Sequence, residues 1–111
     1  MMIPQKIYQS FCETGGKWAD AHCTASQMED QLKPMLASLS LEARDVTKCS
    51  MAEAKEIGLS SSQYRDALKA ASEARREANR AKVMYDATKS LFDAQRTVQA
   101  TERAALSGPA T

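Results

Sequence analysis

The chain has 111 residues, of which 43% are apolar but only 5% aromatic, and it carries a formal charge of +1 at neutral pH. This length and composition predict one soluble domain and argue against a disordered or membrane-embedded chain. The near-zero charge is not typical of a strong nucleic-acid binder. No stretch is long and apolar enough to span a bilayer, and residues 1–7 do not resemble an export signal.

The three cysteines indicate a reducing compartment. Cys12, Cys23 and Cys49 are odd in number and contain no CxxC pair. This pattern favours free thiols, as expected in a reducing environment. We therefore expect a cytoplasmic protein that does not contact a membrane.

The first predicted helix covers residues 4–47. Pro4 suits a first helical turn because it has no N–H group to leave unpaired there. Gly15, Gly16 and Pro34 should weaken the helix, but the apolar phase continues through them. We therefore expect a kinked or frayed helix at the glycines and a bend at Pro34, with Pro34 facing outward. The apolar seam of this helix contains Phe11, Trp18, Met28, Leu32, Met35 and Leu39.

A short second helix is predicted over residues 51–59. Ser50 and Glu53 have the spacing of a capping box at its start. Gly58 is interpreted as its C-terminal stop, and the serines that follow supply an N-cap for a last helix over residues 62–106. Residues 107–111 contain Gly and Pro and are expected to form a flexible tail.

The last helix has a seam of its own, which includes Tyr64, Leu68, Tyr85 and Phe92. Leu91 and Val98 are interpreted as flanking this seam, and Met84 as a core residue. If the chain folds back on itself, the predicted neighbours are Phe11 with Phe92, Trp18 with Tyr85, and Ala25 with Ala78. The sequence thus predicts an all-α, elongated antiparallel helical hairpin with a short connecting helix, forming one domain over residues 1–106. Because such a hairpin buries little area, we also expect it to dimerise into a bundle.

Cations recur on the last helix at seven-residue steps, which makes this row the candidate surface for a partner protein or a nucleic acid. It could follow a phosphate backbone, or it could flank the seam and pair with acidic residues of the first helix. Interspersed carboxylates favour the pairing interpretation. The row contains Arg75, Lys82, Lys89, Arg96 and Arg103, and Arg76 and Arg80 thicken its first half.

No catalytic, cofactor or metal site is predicted. His22 and Cys23 are adjacent but point about 100° apart on a helix. Cys12 lies three helical turns before Cys23, about 16 Å along the axis, so the two cannot share a zinc ion within one helix. Carboxylates recur without the Glu-x-x-His pairs of di-iron bundles. We therefore expect a protein that is not an enzyme.

Four segments carry a resemblance to a known group of proteins. They are residues 17–21 (KWADA), 28–36, 61–64 (SSQY) and, most specifically, the closing motif at 96–104 (RTVQATERA). Together they resemble small helical proteins of tailed temperate phages, a family mostly of unknown function whose genes often lie near recombination and replication genes. The resemblance implies a phage accessory protein made in the bacterial cytoplasm, and it assigns no catalytic residue.

Heptads without a catalytic constellation favour a non-enzymatic protein that binds a host or phage protein through a helical surface, for example as an inhibitor of a host function. A recombination or replication accessory that contacts DNA through the cationic row is the first alternative. A self-assembling coiled-coil spacer is the second.

Overall fold

The computed structural model describes residues 4–107, and those residues form three helices and no strand. They are α1 (Pro4–Thr47), α2 (Met51–Ser60) and α3 (Ser62–Ser107). Each observed end lies within one residue of its predicted position, and the predicted all-α helical hairpin is confirmed. Ser107, assigned to the tail from sequence, is the last residue of α3; the rest of the predicted tail, residues 108–111, lies outside the described residues.

The glycine pair and the proline do not break α1. Gly15, Gly16 and Pro34 all lie within the continuous helix. Pro34 faces outward, as predicted, which lets the carbonyl that loses its partner contact solvent. The apolar phase of the sequence was therefore a better guide to helix continuity than the helix-breaking residues.

The turns between helices are held by local hydrogen bonds. Lys48 ends α1 in the left-handed region, with φ 58°, and donates its backbone N–H to the Arg44 carbonyl. Ser50 caps α2, because its hydroxyl accepts the Glu53 N–H at 3.2 Å. Ser61 does the same for α3, accepting the Tyr64 N–H at 3.2 Å.

Contacts divide the chain into two units, and α1 and α3 contribute to both. The described part of unit 1 contains residues 4–19 and 79–107, and unit 2 is Asp20–Ala78. In unit 1 the aromatic rings of the two helices stack. Phe11 and Phe92 have ring centroids 5.0 Å apart, and those of Trp18 and Tyr85 are 5.2 Å apart. Both contacts match the antiparallel register predicted from sequence.

A polar layer lies within this aromatic seam. The hydroxyl oxygens of Thr14 and Thr88 are 2.6 Å apart, so one hydroxyl donates to the other, and each oxygen also lies 2.9 Å from a carbonyl oxygen of its own helix. Gly15 lies beside them, where an added Cβ would sit 3.2 Å from Cε2 of Tyr85. The absence of a side chain at Gly15 thus gives the Tyr85 ring its place against α1.

Unit 2 packs through small residues. Ala25, Ala71 and Ala78 of α1 and α3 are buried, as is Ala54 of α2. Gly58 is buried inside α2 rather than ending it, so its predicted role as a stop is wrong. A Cβ at Gly58 would lie 3.1 Å from both Leu36 Cδ1 and Ser40 Oγ, so glycine allows α2 to approach α1 closely.

Candidate interaction surface

The cationic row does not behave as one surface. Arg75 is half-buried, whereas the other members predicted from sequence are exposed. Those exposed members are Arg76, Arg80, Lys82, Lys89, Arg96 and Arg103. The structure therefore separates the first residue of the row from the rest.

The guanidinium of Arg75 contacts three side chains of α1. Its Nε and Nη2 donate to the two carboxylate oxygens of Glu29 at 2.9 and 2.7 Å, a bidentate pair. Nη2 also donates to Ser26 Oγ at 3.2 Å, and Nη1 lies 3.0 Å from His22 Nδ1. For the last contact to be a hydrogen bond, His22 must carry its proton on Nε2 and accept through Nδ1.

The same cluster shifts the ionisation of its charged members. Hydrogen bonding to Arg75 lowers the pKa of Glu29 below its usual range, and the Coulomb attraction of Arg75 acts in the same direction. The carboxylate in turn raises the pKa of Arg75. At Arg75, therefore, the cationic row pairs with an acidic residue of α1, Glu29, as the pairing interpretation predicted.

Further along the row, Arg96 places its guanidinium 5.9 Å from the centre of the Phe92 ring, within range of a cation–π contact. Lys82, Lys89 and Arg96 each lie one residue after a half-buried position of α3, and Arg103 continues their seven-residue spacing. At about 100° per residue, the exposed cations therefore occupy one side of the seam.

Few apolar side chains are buried, and many large ones are exposed. The buried apolar residues in the described chain are Ile7 and four alanines. Thirteen large apolar side chains among residues 4–107 are exposed, by between 37% and 89%. Met84, interpreted from sequence as core, is one of them, and two of the ten predicted seam residues, Met28 and Leu68, are also exposed. The other eight are partly exposed: Phe11, Trp18, Leu32, Met35, Leu39, Tyr64, Tyr85 and Phe92.

One group of exposed apolar residues surrounds a groove in unit 2, between the end of α1 and the end of α2. We call it the hinge groove. Val46 is 77% exposed and Ile57 44% exposed on its two sides. Its apolar lining is Leu39, Ala43, Val46, Ile57 and Gly58, with Glu42, Thr47, Ser61 and Gln63 as polar neighbours. Sequence reasoning missed this groove, because Val46 lies beyond the last residue of the recognised seam.

A second group follows α3 in unit 1. Met84, Leu91 and Val98 are exposed by 59%, 44% and 50%. Each lies one residue before a half-buried or seam-facing position, at 85, 92 and 99. Leu91 and Val98 flank the seam, as interpreted from sequence, and with Met84 they form a row about 100° away from it. Their seven-residue spacing was the signal that could have identified it.

Residues with chemical reactivity do not converge. Cys12, Cys23 and Cys49 are free, the first two exposed. Within residues 4–107 no group of three or more His, Cys, Asp or Glu side chains is placed to hold a metal ion. None of the helices in that range is long and apolar enough to cross a membrane.

Comparison of the chain with protein families, with curated proteins and with solved structures finds no match.

Proposed function

We propose that this protein is a non-enzymatic helical binding protein that recognises a partner protein through exposed apolar side chains. The observation that carries the proposal is the display of thirteen large apolar side chains on helices whose buried apolar residues are Ile7 and alanines. Exposed apolar patches mark sites where proteins associate. The resemblance of residues 96–104 to phage proteins supports a phage accessory role in the bacterial cytoplasm, with a host or phage protein as the partner.

The hinge groove is the proposed site for that partner. Its lining is mainly apolar, and its one charged member is Glu42. An amphipathic helix fits such a groove by inserting apolar side chains at three- and four-residue spacing. Glu42 favours a partner helix with a lysine or arginine beside its apolar face, because a rim ion pair fixes orientation and speeds association.

The test begins with capture of the tagged protein from bacteria during phage infection, followed by binding measurements with the purified candidate partner. Val46→Glu places a carboxylate on the groove and should weaken binding at least about tenfold. Leu106→Glu is the matched control, since Leu106 is also exposed and lies outside the groove; it should bind like the natural protein. Capture of nothing but the protein itself, or equal binding by the Val46→Glu variant, would contradict the proposal.

A DNA-binding accessory is the second candidate, favoured by one observation. Lys82, Lys89, Arg96 and Arg103 are exposed on α3 at a repeat of about 10.5 Å. The interspersed Asp86 and Asp93 weaken the positive field that phosphates would meet. Fluorescence anisotropy with single- and double-stranded oligonucleotides at low salt separates the candidates. Salt-sensitive binding that is lost in a Lys89→Glu/Arg96→Glu variant would favour this function, and no binding would exclude it.

A further inference from the structure

An uncharged face covers one side of α3 from Val83 to Ala105. Met84, Leu91 and Val98 recur at seven-residue steps, and Ala87 and Ala94 lie between them at steps of three and four. All these positions are exposed in the structure. The spacing is that of the a and d positions of a coiled coil. The described part of unit 1 therefore carries two heptad rows on α3, one facing α1 and one that no other described residue covers.

Charge is distributed around this face rather than on it. The face contains Val83, Met84, Ala87, Ser90, Leu91, Ala94, Thr97, Val98, Thr101, Ala104 and Ala105. The charged residues between 83 and 105 all lie at other positions: Asp86, Lys89, Asp93, Arg96, Glu102 and Arg103. A solvated helix face normally carries charges, so a face free of them over three heptads is typical of a helix–helix contact.

The sizes of the side chains indicate what covers the face. Met84, Leu91 and Val98 are at a positions, and the smaller Ala87, Ala94 and Thr101 are at the d positions between them. In an antiparallel pair each a position packs against a d position of the other helix. A two-fold axis between Phe92 and Asp93 applies this rule to the layers from Met84 to Thr101. It places Met84 against Thr101, Leu91 against Ala94, and Val98 against Ala87, each pair joining two copies.

In a parallel pair, side chains of these sizes would pack less evenly. Met84 would meet Met84 and Ala87 would meet Ala87, so layers of two large residues would alternate with layers of two small ones. Such alternation separates the helices at one layer and leaves a gap at the next, which costs packing energy. The antiparallel register makes all layers similar in volume.

We propose that a second copy of this chain packs antiparallel on the uncharged face of α3, with the two-fold axis between Phe92 and Asp93. The face is self-complementary, as a two-fold symmetric interface must be. This proposal concerns residues of unit 1 only and does not depend on the hinge groove. Loss of partner binding by the Val46→Glu variant and loss of self-association are therefore separate outcomes.

Sedimentation equilibrium of a matched pair of variants tests the surface. Ala94→Glu adds a carboxylate on the face, whereas Ala100→Glu adds the same group at an exposed alanine of α3 outside it. The natural protein and Ala100→Glu should dimerise, and Ala94→Glu should weaken the dimer at least about tenfold. Circular dichroism should give the same helix content for both variants. A monomeric natural protein, or equal dimerisation by both variants, would overturn the proposal.

Cross-linking tests the orientation. In a background where Cys12, Cys23 and Cys49 are replaced by alanine, the double variant Met84→Cys/Thr101→Cys should give covalent dimers with a short thiol cross-linker. The single variant Met84→Cys should not, because an antiparallel pair holds the two copies of position 84 about 25 Å apart along the axis. Efficient linkage by the single variant would show a parallel pair and contradict the proposed register.

Discussion

Aromatic rings of α1 and α3 stack on each other in unit 1, whereas in unit 2 the same two helices bury alanines and a glycine of α2. Rings hold helices apart and can remain half-exposed, as Phe11 and Tyr85 do. Small residues let backbones approach and leave little room for change, as at Gly58. Unit 1 should therefore respond to loss of side-chain volume, and unit 2 to its addition.

The largest expected effect comes from adding volume at Gly58. The variant Gly58→Leu must displace Leu36 and Ser40, which lie 3.1 Å from the first added carbon. We expect a loss of about 3 kcal/mol in the free energy of unfolding, measured in urea. Gly16→Leu is the matched control, since nothing lies within 4 Å of its Cβ, and it should gain a few tenths of a kcal/mol from helix propensity. Equal changes in stability at both glycines would contradict the claim that the close approach of α1 at Gly58 sets the response.

Removing volume from unit 1 ranks second. Phe11→Ala deletes the ring that stacks on both Tyr85 and Phe92. Because Phe11 is only half-buried, we expect a loss of about 2 kcal/mol, below the usual range for a fully buried ring. Tyr8→Ala provides the comparison, since Tyr8 is more exposed and contacts Phe92 at 5.9 Å. A Tyr8→Ala loss as large as that of Phe11→Ala would contradict the assigned seam.

A smaller and opposite effect is expected where α1 ends. Lys48 holds a left-handed conformation that costs a side chain about 1 kcal/mol, and glycine adopts it freely. Lys48→Gly should therefore stabilise the protein by up to about 1 kcal/mol, less the entropy that glycine gains in the unfolded chain. Hydrogen exchange by mass spectrometry should show slower exchange in unit 2. Lys48→Ala is the control that removes the charge but keeps the strain, and it should show no such protection.

The smallest expected effect is on the pH dependence of stability, and it comes from the Arg75–Glu29 ion pair of unit 2. Arg75 lowers the pKa of Glu29 in the folded protein, so this pair stabilises unit 2 above the ordinary carboxyl pKa. That stability is lost as pH falls through the lowered pKa, because the unfolded state then binds the proton more readily. Arg75 is half-buried and Glu29 is exposed, so water screens their attraction and the effect is small.

Urea unfolding between pH 7 and pH 3 measures this pH-dependent contribution of the Arg75–Glu29 pair. Arg75→Met should have a lower free energy of unfolding than the natural protein at neutral pH. In acid the difference between the two free energies should become smaller. Arg76→Met, at the exposed neighbouring arginine, should keep the natural pH dependence. A constant difference between Arg75→Met and the natural protein across this range would mean that the Glu29 pair adds no pH-dependent stability.

The sequence predicted the helix limits and the contacts Phe11–Phe92 and Trp18–Tyr85, because apolar phase and local caps act over short distances. It mistook Gly58 for a helix end, since a glycine that admits a neighbouring helix and one that stops a helix look alike in sequence. It also assigned Met84 to the core. Two heptad rows that differ by one residue cannot be ranked by spacing alone, and only the position of α1 shows which is covered.

The central claim is that α3 has one row that holds the hairpin together and one that is left for a partner. Leu91→Glu and Phe92→Glu test it directly, because these neighbours belong to different rows. In urea unfolding at a chain concentration low enough to keep the protein monomeric, Leu91→Glu should change stability by no more than about 0.5 kcal/mol. Phe92→Glu should lose about 3 kcal/mol or more. Similar losses for the two variants would contradict the account.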